Sequence, residues 1–120
     1  MDRTFLLLGA VAAFLAVTLG AFGAHGLRGR LSPEMMAVFQ IGVQYHMYHA
    51  LALILVSAIM GRMSGWLIQT AGWSFLAGIV LFSGSLYWLA LSGVTILGAV
   101  TPIGGLAFLI GWACLAFAAF

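Results

Sequence analysis

Five polar side chains are gathered in the segment Gln44-Tyr45-His46-Met47-Tyr48-His49, which runs straight into the apolar sequence ALALILVSAIM. Several chemistries are open to such a set. His46 and His49 stand three residues apart, so on a helix both can reach one metal ion. His25 would be a third ligand, and Met35, Met36 and Met47 would be soft neighbours suited to Cu(I). Against that reading, Asp2 and Glu34 are the only side-chain carboxylates, Cys114 is the one cysteine, and no HxxxH pair occurs. A haem is disfavoured because the His46/His49 spacing does not place both on one iron. Tyrosine, glutamine and histidine between helices also suit a lipid headgroup or a quinone, with Arg28 and Arg30 beside an anionic group. The simplest role is structural: such side chains hydrogen-bond between helices or anchor at the headgroup level. Catalysis has little support, since no nucleophile or carboxylate partners a histidine, and Ser83 and Ser85 read as packing residues. The expectation is a non-enzymatic protein with no catalytic residue, metal or cofactor. Its candidate ligand-binding residues are His25, Gln44, Tyr45, Tyr48, His49, Arg28 and Arg30.

The elements that position these residues follow from composition. Of 120 residues, 65% are apolar and 5% are charged, and the mean hydropathy is +1.23. A soluble domain carries about 25% charged residues, so this chain must be surrounded by lipid. A crossing takes roughly 20 apolar residues, which leaves room for four. The reading is therefore an all-α membrane protein, a single domain over residues 1–120, forming a four-helix bundle with spans near 4–23, 43–60, 66–91 and 102–120. The N-terminal half of the second helix, 33–42, is amphipathic and is expected at the interface, with a bend near Gly42. Four arginines against two acids, with no lysine, give a net charge of +2. That is too little and too scattered for a nucleic-acid surface, so no nucleic acid is expected as a partner.

Local signals place the boundaries. Ser32-Pro33-Glu34 is a helix start: a serine cap, a proline in the first turn and an acid at the positive dipole end. Gly61-Arg62-Met63-Ser64-Gly65 is a turn, Ser92-Gly93 ends the third span, and Thr101-Pro102 opens or kinks the fourth. Trp66 and Trp88 sit near the ends of the third span, as in aromatic belts. The first segment ends in a small-residue pattern resembling a signal-peptide cleavage site, but its apolar run is long for one. Ala12, Ala16, Gly20 and Ala24 recur every four residues and would let another helix approach closely, as would Gly78, Gly84 and Gly111. Arg3 and Arg62 fall on one side and Arg28 and Arg30 on the other, so the positive-inside count is tied, with a lean to a cytoplasmic Arg28/Arg30 loop.

At 100° per residue, Gln40, Gln44 and Tyr48 share one stripe of the second helix, Tyr45 and His49 share the next, and His46 lies about 60° beyond His49. That broad polar face must meet something polar.

Four ordered motifs carry a resemblance over nearly the whole chain. They are Gly20-Ala21-Phe22-Gly23-Ala24-His25-Gly26-Leu27, the run YHMYHALAL from Tyr45 to Leu53, Ser83-Gly84-Ser85-Leu86-Tyr87, and Thr101-Pro102-Ile103-Gly104-Gly105 followed by Gly111-Trp112. Together they closely resemble the YgdD/YwdK-like family of small membrane proteins, domain-of-unknown-function family 423. The resemblance implies a four-helix protein of a bacterial inner membrane, or an organellar relative, and no agreed activity. It implies glutamine where His46 stands, a departure that weakens a family-wide His46/His49 metal pair and leaves His25 and His49 as the better candidates for a shared site.

The function expected from these readings is an accessory, assembly or self-associating subunit, with membrane lipids, further copies of itself or other membrane subunits as partners. A lipid, quinone or metal site between helices is the alternative. A small transporter would require oligomerisation, because four short helices leave little room for a gated path.

Overall fold

The computed structural model describes residues 2–63 and 65–120. Met1 and Ser64, the latter part of the expected turn, lie outside the described residues. Helix α1 is Asp2–His25 and α2 is Pro33–Ile59. The third crossing is compound: α3, Trp66–Gly78, passes through a π-helical segment, Ile79–Ser83, into α4, Gly84–Ser92. A 3₁₀ turn at Thr95–Ala99 leads into α5, Thr101–Ala119. Among the described residues four stretches, Arg3–His25, Pro33–Ile59, Trp66–Ser92 and Thr95–Ala119, are long and apolar enough to cross a membrane. The molecule is 47 Å long and 26 by 18 Å across, a length that matches a bilayer with its headgroups, about 40–45 Å.

The local chemistry sets the boundaries. After α1 the Gly26 and Leu27 amides both donate to the Phe22 carbonyl, at 2.6 and 3.2 Å, which satisfies the last turn and folds Leu27 into the bundle. Ser32 caps α2, its hydroxyl accepting from the Met35 amide at 3.1 Å, and Pro33 takes the first turn. Gly93 ends α4 at φ 73°, a left-handed conformation that a side chain disfavours. Pro102 sits in the first turn of α5, where its missing N–H costs nothing.

Helix α1 packs on α2, and α3 packs on α5. Glycines govern both contacts because lipid supplies no hydrophobic drive between helices and close approach must do so instead. A Cβ on Gly23 would stand 2.7 Å from the Phe39 ring, and one on Gly9 would stand 2.7 Å from Ile54. Gly72 fits the Phe5 ring, Gly78 the Phe108 ring and Gly111 the Phe75 ring. Ala12 and Ala16 are buried, and Gly20 faces Val43 across the α1–α2 contact. Two positions expected on packing faces are placed otherwise. Ala24 is exposed, because the α1–α2 contact is made at this end by Gly23 instead. A Cβ on Gly84 would meet nothing within 4 Å, because the π-helical segment turns this position off the helix contact.

The Gly23–Phe39 and Gly9–Ile54 contacts fix the register of α1 on α2. The apolar run of α1, residues 4–23, therefore lies level with residues 39–59 of α2. At 1.5 Å per residue that run spans about 30 Å, the thickness of the hydrocarbon core. Gln44 then lies about 7 Å inside its edge, Tyr45 about 9 Å, and His49 about 15 Å, at mid-depth. Helix α2 is continuous through Gly42, whose carbonyl accepts from the Ser83 hydroxyl at 2.7 Å and whose Cα faces the Tyr87 ring.

Candidate functional site

His49 is held from both sides. Its Nδ1 lies 2.7 Å from the Tyr45 carbonyl, and the Trp112 indole donates to its Nε2 at 3.1 Å. A carbonyl only accepts and an indole N–H only donates, so the ring is neutral with its proton on Nδ1. It stacks on Phe108 with centroids 3.5 Å apart and planes 7° apart. Phe75 and Trp112 close the far side, each within 6 Å of the His49 centroid.

His46 leaves α2 in another direction. Its Nδ1 lies 2.8 Å from the Tyr87 hydroxyl of α4, and its ring is turned to the Ala12 backbone of α1. The two histidines thus diverge, one to the α1/α4 side and one to α5, and both nitrogens of His49 are taken. His25 is exposed at the end of α1, beside the loop that carries the exposed Arg28 and Arg30. That loop adjoins the start of α2, about 24 Å of helix from His49. The seven candidate binding residues are therefore not one site: His25, Arg28 and Arg30 form a surface group at one end of the bundle, and Gln44, Tyr45, Tyr48 and His49 lie within the span. For the same reason the His25/His46/His49 metal arrangement does not form. Among the described residues no three His, Cys, Asp or Glu side chains are grouped as metal ligands.

Around the inner group lies a groove of about 510 Å³ between α2 and α5. Tyr45, Tyr48 and His49 form one wall, Phe108, Leu109 and Trp112 the other, and Phe82 and Gly105 the floor. Tyr45 packs on Phe82 at 5.0 Å and on Tyr48 at 5.7 Å. The π-helical segment is what brings Phe82 here: its extra residue per turn lets Phe82 face the groove while Ser83 faces Gly42. Gly104 admits the Phe82 backbone, since a Cβ there would stand 2.7 Å from the Phe82 Cα and Cβ. Leu51, Phe82, Phe108, Leu109 and Trp112 join the site without having been expected there, and Gly105 was expected only as part of a motif. The sequence signals for the α5 wall and floor were the Gly104-Gly105 and Gly111-Trp112 pairs.

A polar ridge borders the groove. Gln40, Gln44 and Tyr48 are all exposed on α2, and the Gln44 amide donates to the Tyr48 hydroxyl at 2.6 Å. Among the described residues nothing else bonds either group, and nothing bonds the Tyr45 hydroxyl.

Four apolar crossings, glycine-mediated helix contacts and interior histidines held by bonds within the span define a small helical integral membrane protein. The family model described as "Protein of unknown function (DUF423)" matches residues 19–105, and the chain belongs to that family. The chain is 53% identical over 118 residues to the UPF0382 membrane protein YwdK of Bacillus subtilis, covering 98% of this chain and 96% of that one. It is 51% identical over 116 residues to a UPF0382 membrane protein of Staphylococcus epidermidis, covering 97% and 94%. A UPF0382 membrane protein of Staphylococcus aureus is 48% identical over 118 residues, covering 98% and 96%. No solved structure matches this chain.

Proposed function

We propose that this protein is a non-enzymatic subunit of the bacterial plasma membrane that assembles with a second copy of itself through the Gln40–Gln44–Tyr48 ridge of α2. The observation that carries the reading is the Gln44–Tyr48 hydrogen bond on the lipid-facing side of α2. It leaves the Gln44 carbonyl oxygen and the Tyr48 hydroxyl proton without partners among the described residues, inside the hydrocarbon. An unsatisfied polar group there costs several kcal/mol. A second copy presents the complementary pair: Tyr48 of each can donate to the Gln44 carbonyl of the other, an arrangement that closes under two-fold symmetry. Gln40 adds a further amide at the edge of the same ridge.

Two interhelical hydrogen bonds of about 0.6–1.7 kcal/mol each would change the dimer constant by roughly tenfold or more. Two differently tagged copies, expressed together and captured through one tag, measure this. The combined change Gln44→Leu with Tyr48→Phe should lower recovery of the second tag about tenfold, whereas Val17→Leu on the outer face of α1 should not. Equal recovery in both would refute the reading.

A further inference from the structure

A second unpaired group lies inside the groove, apart from the Gln40–Gln44 part of the ridge. Tyr45 is 38% exposed, its ring is fixed between Phe82, Tyr48 and His49, and its hydroxyl has no partner among the described residues. It is a phenol donor on a backbone position about 9 Å inside the hydrocarbon edge, where water is scarce. The cavity beside it, about 510 Å³, falls within the usual range for small-molecule sites, roughly 300–1,000 Å³. Its lining has the usual composition of such sites as well, mostly apolar and aromatic with few polar groups.

We propose that the groove between α2 and α5 binds a neutral, ring-headed lipophile that carries a carbonyl acceptor, of the isoprenoid quinone class. Four observations select this chemistry. The walls are rings: Tyr45, Phe82, Phe108 and Trp112 offer flat faces and edges that suit an aromatic or quinonoid ring better than a flexible acyl chain. Beside Tyr48, whose hydroxyl belongs to the ridge, the polar group the groove offers is the Tyr45 O–H, a donor, which calls for an acceptor on the ligand. His49 is not available to donate, because the Tyr45 carbonyl takes its proton and the Trp112 indole takes its lone pair. The groove also opens sideways to lipid, with Tyr48, Leu51 and Leu109 at its exposed rim. The ligand must therefore arrive through the hydrocarbon, its carbonyl at a depth below the ester carbonyls of phospholipids. Among the described residues no charged side chain lines the groove, so the ligand is uncharged. The structural bonds of His49 hold the wall in place, and Gly105 keeps the floor open.

The site is tested with a benzoquinone bearing a ten-carbon tail, added to the protein in phosphatidylcholine nanodiscs. Trp112 is left as the single fluorophore by changing Trp66, Trp73 and Trp88 to phenylalanine. Quinones quench indole fluorescence on contact, so binding appears as quenching that saturates. The expected result is saturable quenching that Tyr45→Phe weakens about tenfold, Gly105→Leu abolishes and Val17→Leu leaves unchanged. A Cβ on Gly105 would stand 3.8 Å from the Phe82 ring, an ordinary contact. Gly105→Ala therefore keeps the fold and should still weaken binding several-fold if the leucine variant fails to fold. A ten-carbon alcohol, which has the tail and no ring, should not displace the quinone. Quenching that never saturates, or that is the same in Tyr45→Phe and Gly105→Ala as in the parent, would overturn the site. Displacement by the alcohol at equal concentration would overturn the ring-headed class and assign the groove to acyl chains. Tyr48 borders both the ridge and the groove, so the nanodiscs are loaded with one copy each; self-association then plays no part in this readout, and it stands or falls separately from the ridge.

Discussion

Adjacent glycines in α5 should respond oppositely to the same added methyl group. A Cβ on Gly104 would stand 2.7 Å from both the Cα and the Cβ of Phe82 and closer still to its backbone nitrogen, whereas one on Gly105 would stand 3.8 Å from the edge of the Phe82 ring. The obstruction at Gly104 is backbone, which cannot swing aside, so Gly104→Ala must part α5 from the π-helical segment. Overpacking of this kind costs about 1–3 kcal/mol, and because the clash is with main chain the upper half of that range applies. Against it, replacing glycine by alanine within a helix gains about 1 kcal/mol. The net expectation is a loss of about 1–2 kcal/mol for Gly104→Ala and a gain of up to about 1 kcal/mol for Gly105→Ala, a difference of about 2–3 kcal/mol between neighbours. Gly84→Ala, with nothing within 4 Å, should resemble Gly105→Ala. Unfolding in mixed micelles of a mild detergent and increasing sodium dodecyl sulfate, followed by circular dichroism, measures the difference. Because the clash falls on the floor of the groove, Gly104→Ala should also alter the near-ultraviolet signal of Trp112. Equal midpoints for the two alanine variants would refute the close α5–π-segment contact and, with it, the placement of Phe82 in the groove.

The remaining predictions concern single bonds. Trp112→Phe keeps the ring but removes the donor to His49 Nε2, and leaving that buried acceptor unpaired should cost about 1–3 kcal/mol in the same unfolding titration. His49→Gln should be no better tolerated, because it also loses the stacked contact with Phe108. Tyr87→Phe removes the bond to His46 Nδ1 and should cost about 0.6–1.7 kcal/mol, with unfolding midpoints the readout. Ser83→Ala should lose a similar amount through its bond to the Gly42 carbonyl, whereas Ser92→Ala, at the exposed end of α4 with only local bonds to the Trp88 carbonyl and the Val94 amide, should lose less than half as much.

Much of the architecture was legible in the sequence. Six charges in 120 residues admit only a lipid-embedded chain, and Ser32-Pro33, Ser92-Gly93 and Thr101-Pro102 mark helix boundaries because caps, left-handed turns and missing amides are local chemistry. The polar segment of α2 was equally plain, since glutamine, tyrosine and histidine are costly in hydrocarbon and stand out against it. What the residues of the site touch was not legible. His46 and His49 are only about 60° apart around the helix, close enough to suggest shared ligation, yet α1 and α4 flank one side and α5 the other. His25 has the right chemistry for a third partner, but the α1–α2 register places it a full leaflet away from His49. The outer wall and floor were hidden for a different reason: in a chain that is 65% apolar, Phe82, Phe108 and Trp112 differ in no visible way from phenylalanines and tryptophans that face lipid. The π-helical segment that aims Phe82 leaves no periodicity signal, because a one-residue shift in an apolar stretch changes no pattern.

Cysteine cross-linking in native membranes tests self-association through the α2 ridge most directly. With Cys114 changed to serine, single cysteines replace Gln40 on the ridge or Val17 on the outer face of α1, and a membrane-permeant oxidant is added. The ridge predicts that Gln40→Cys forms a disulfide-linked dimer rapidly and Val17→Cys forms little, with the Gln40→Cys dimer diminished when Gln44→Leu and Tyr48→Phe are added. Equal cross-linking at both positions, or none at position 40, would contradict it.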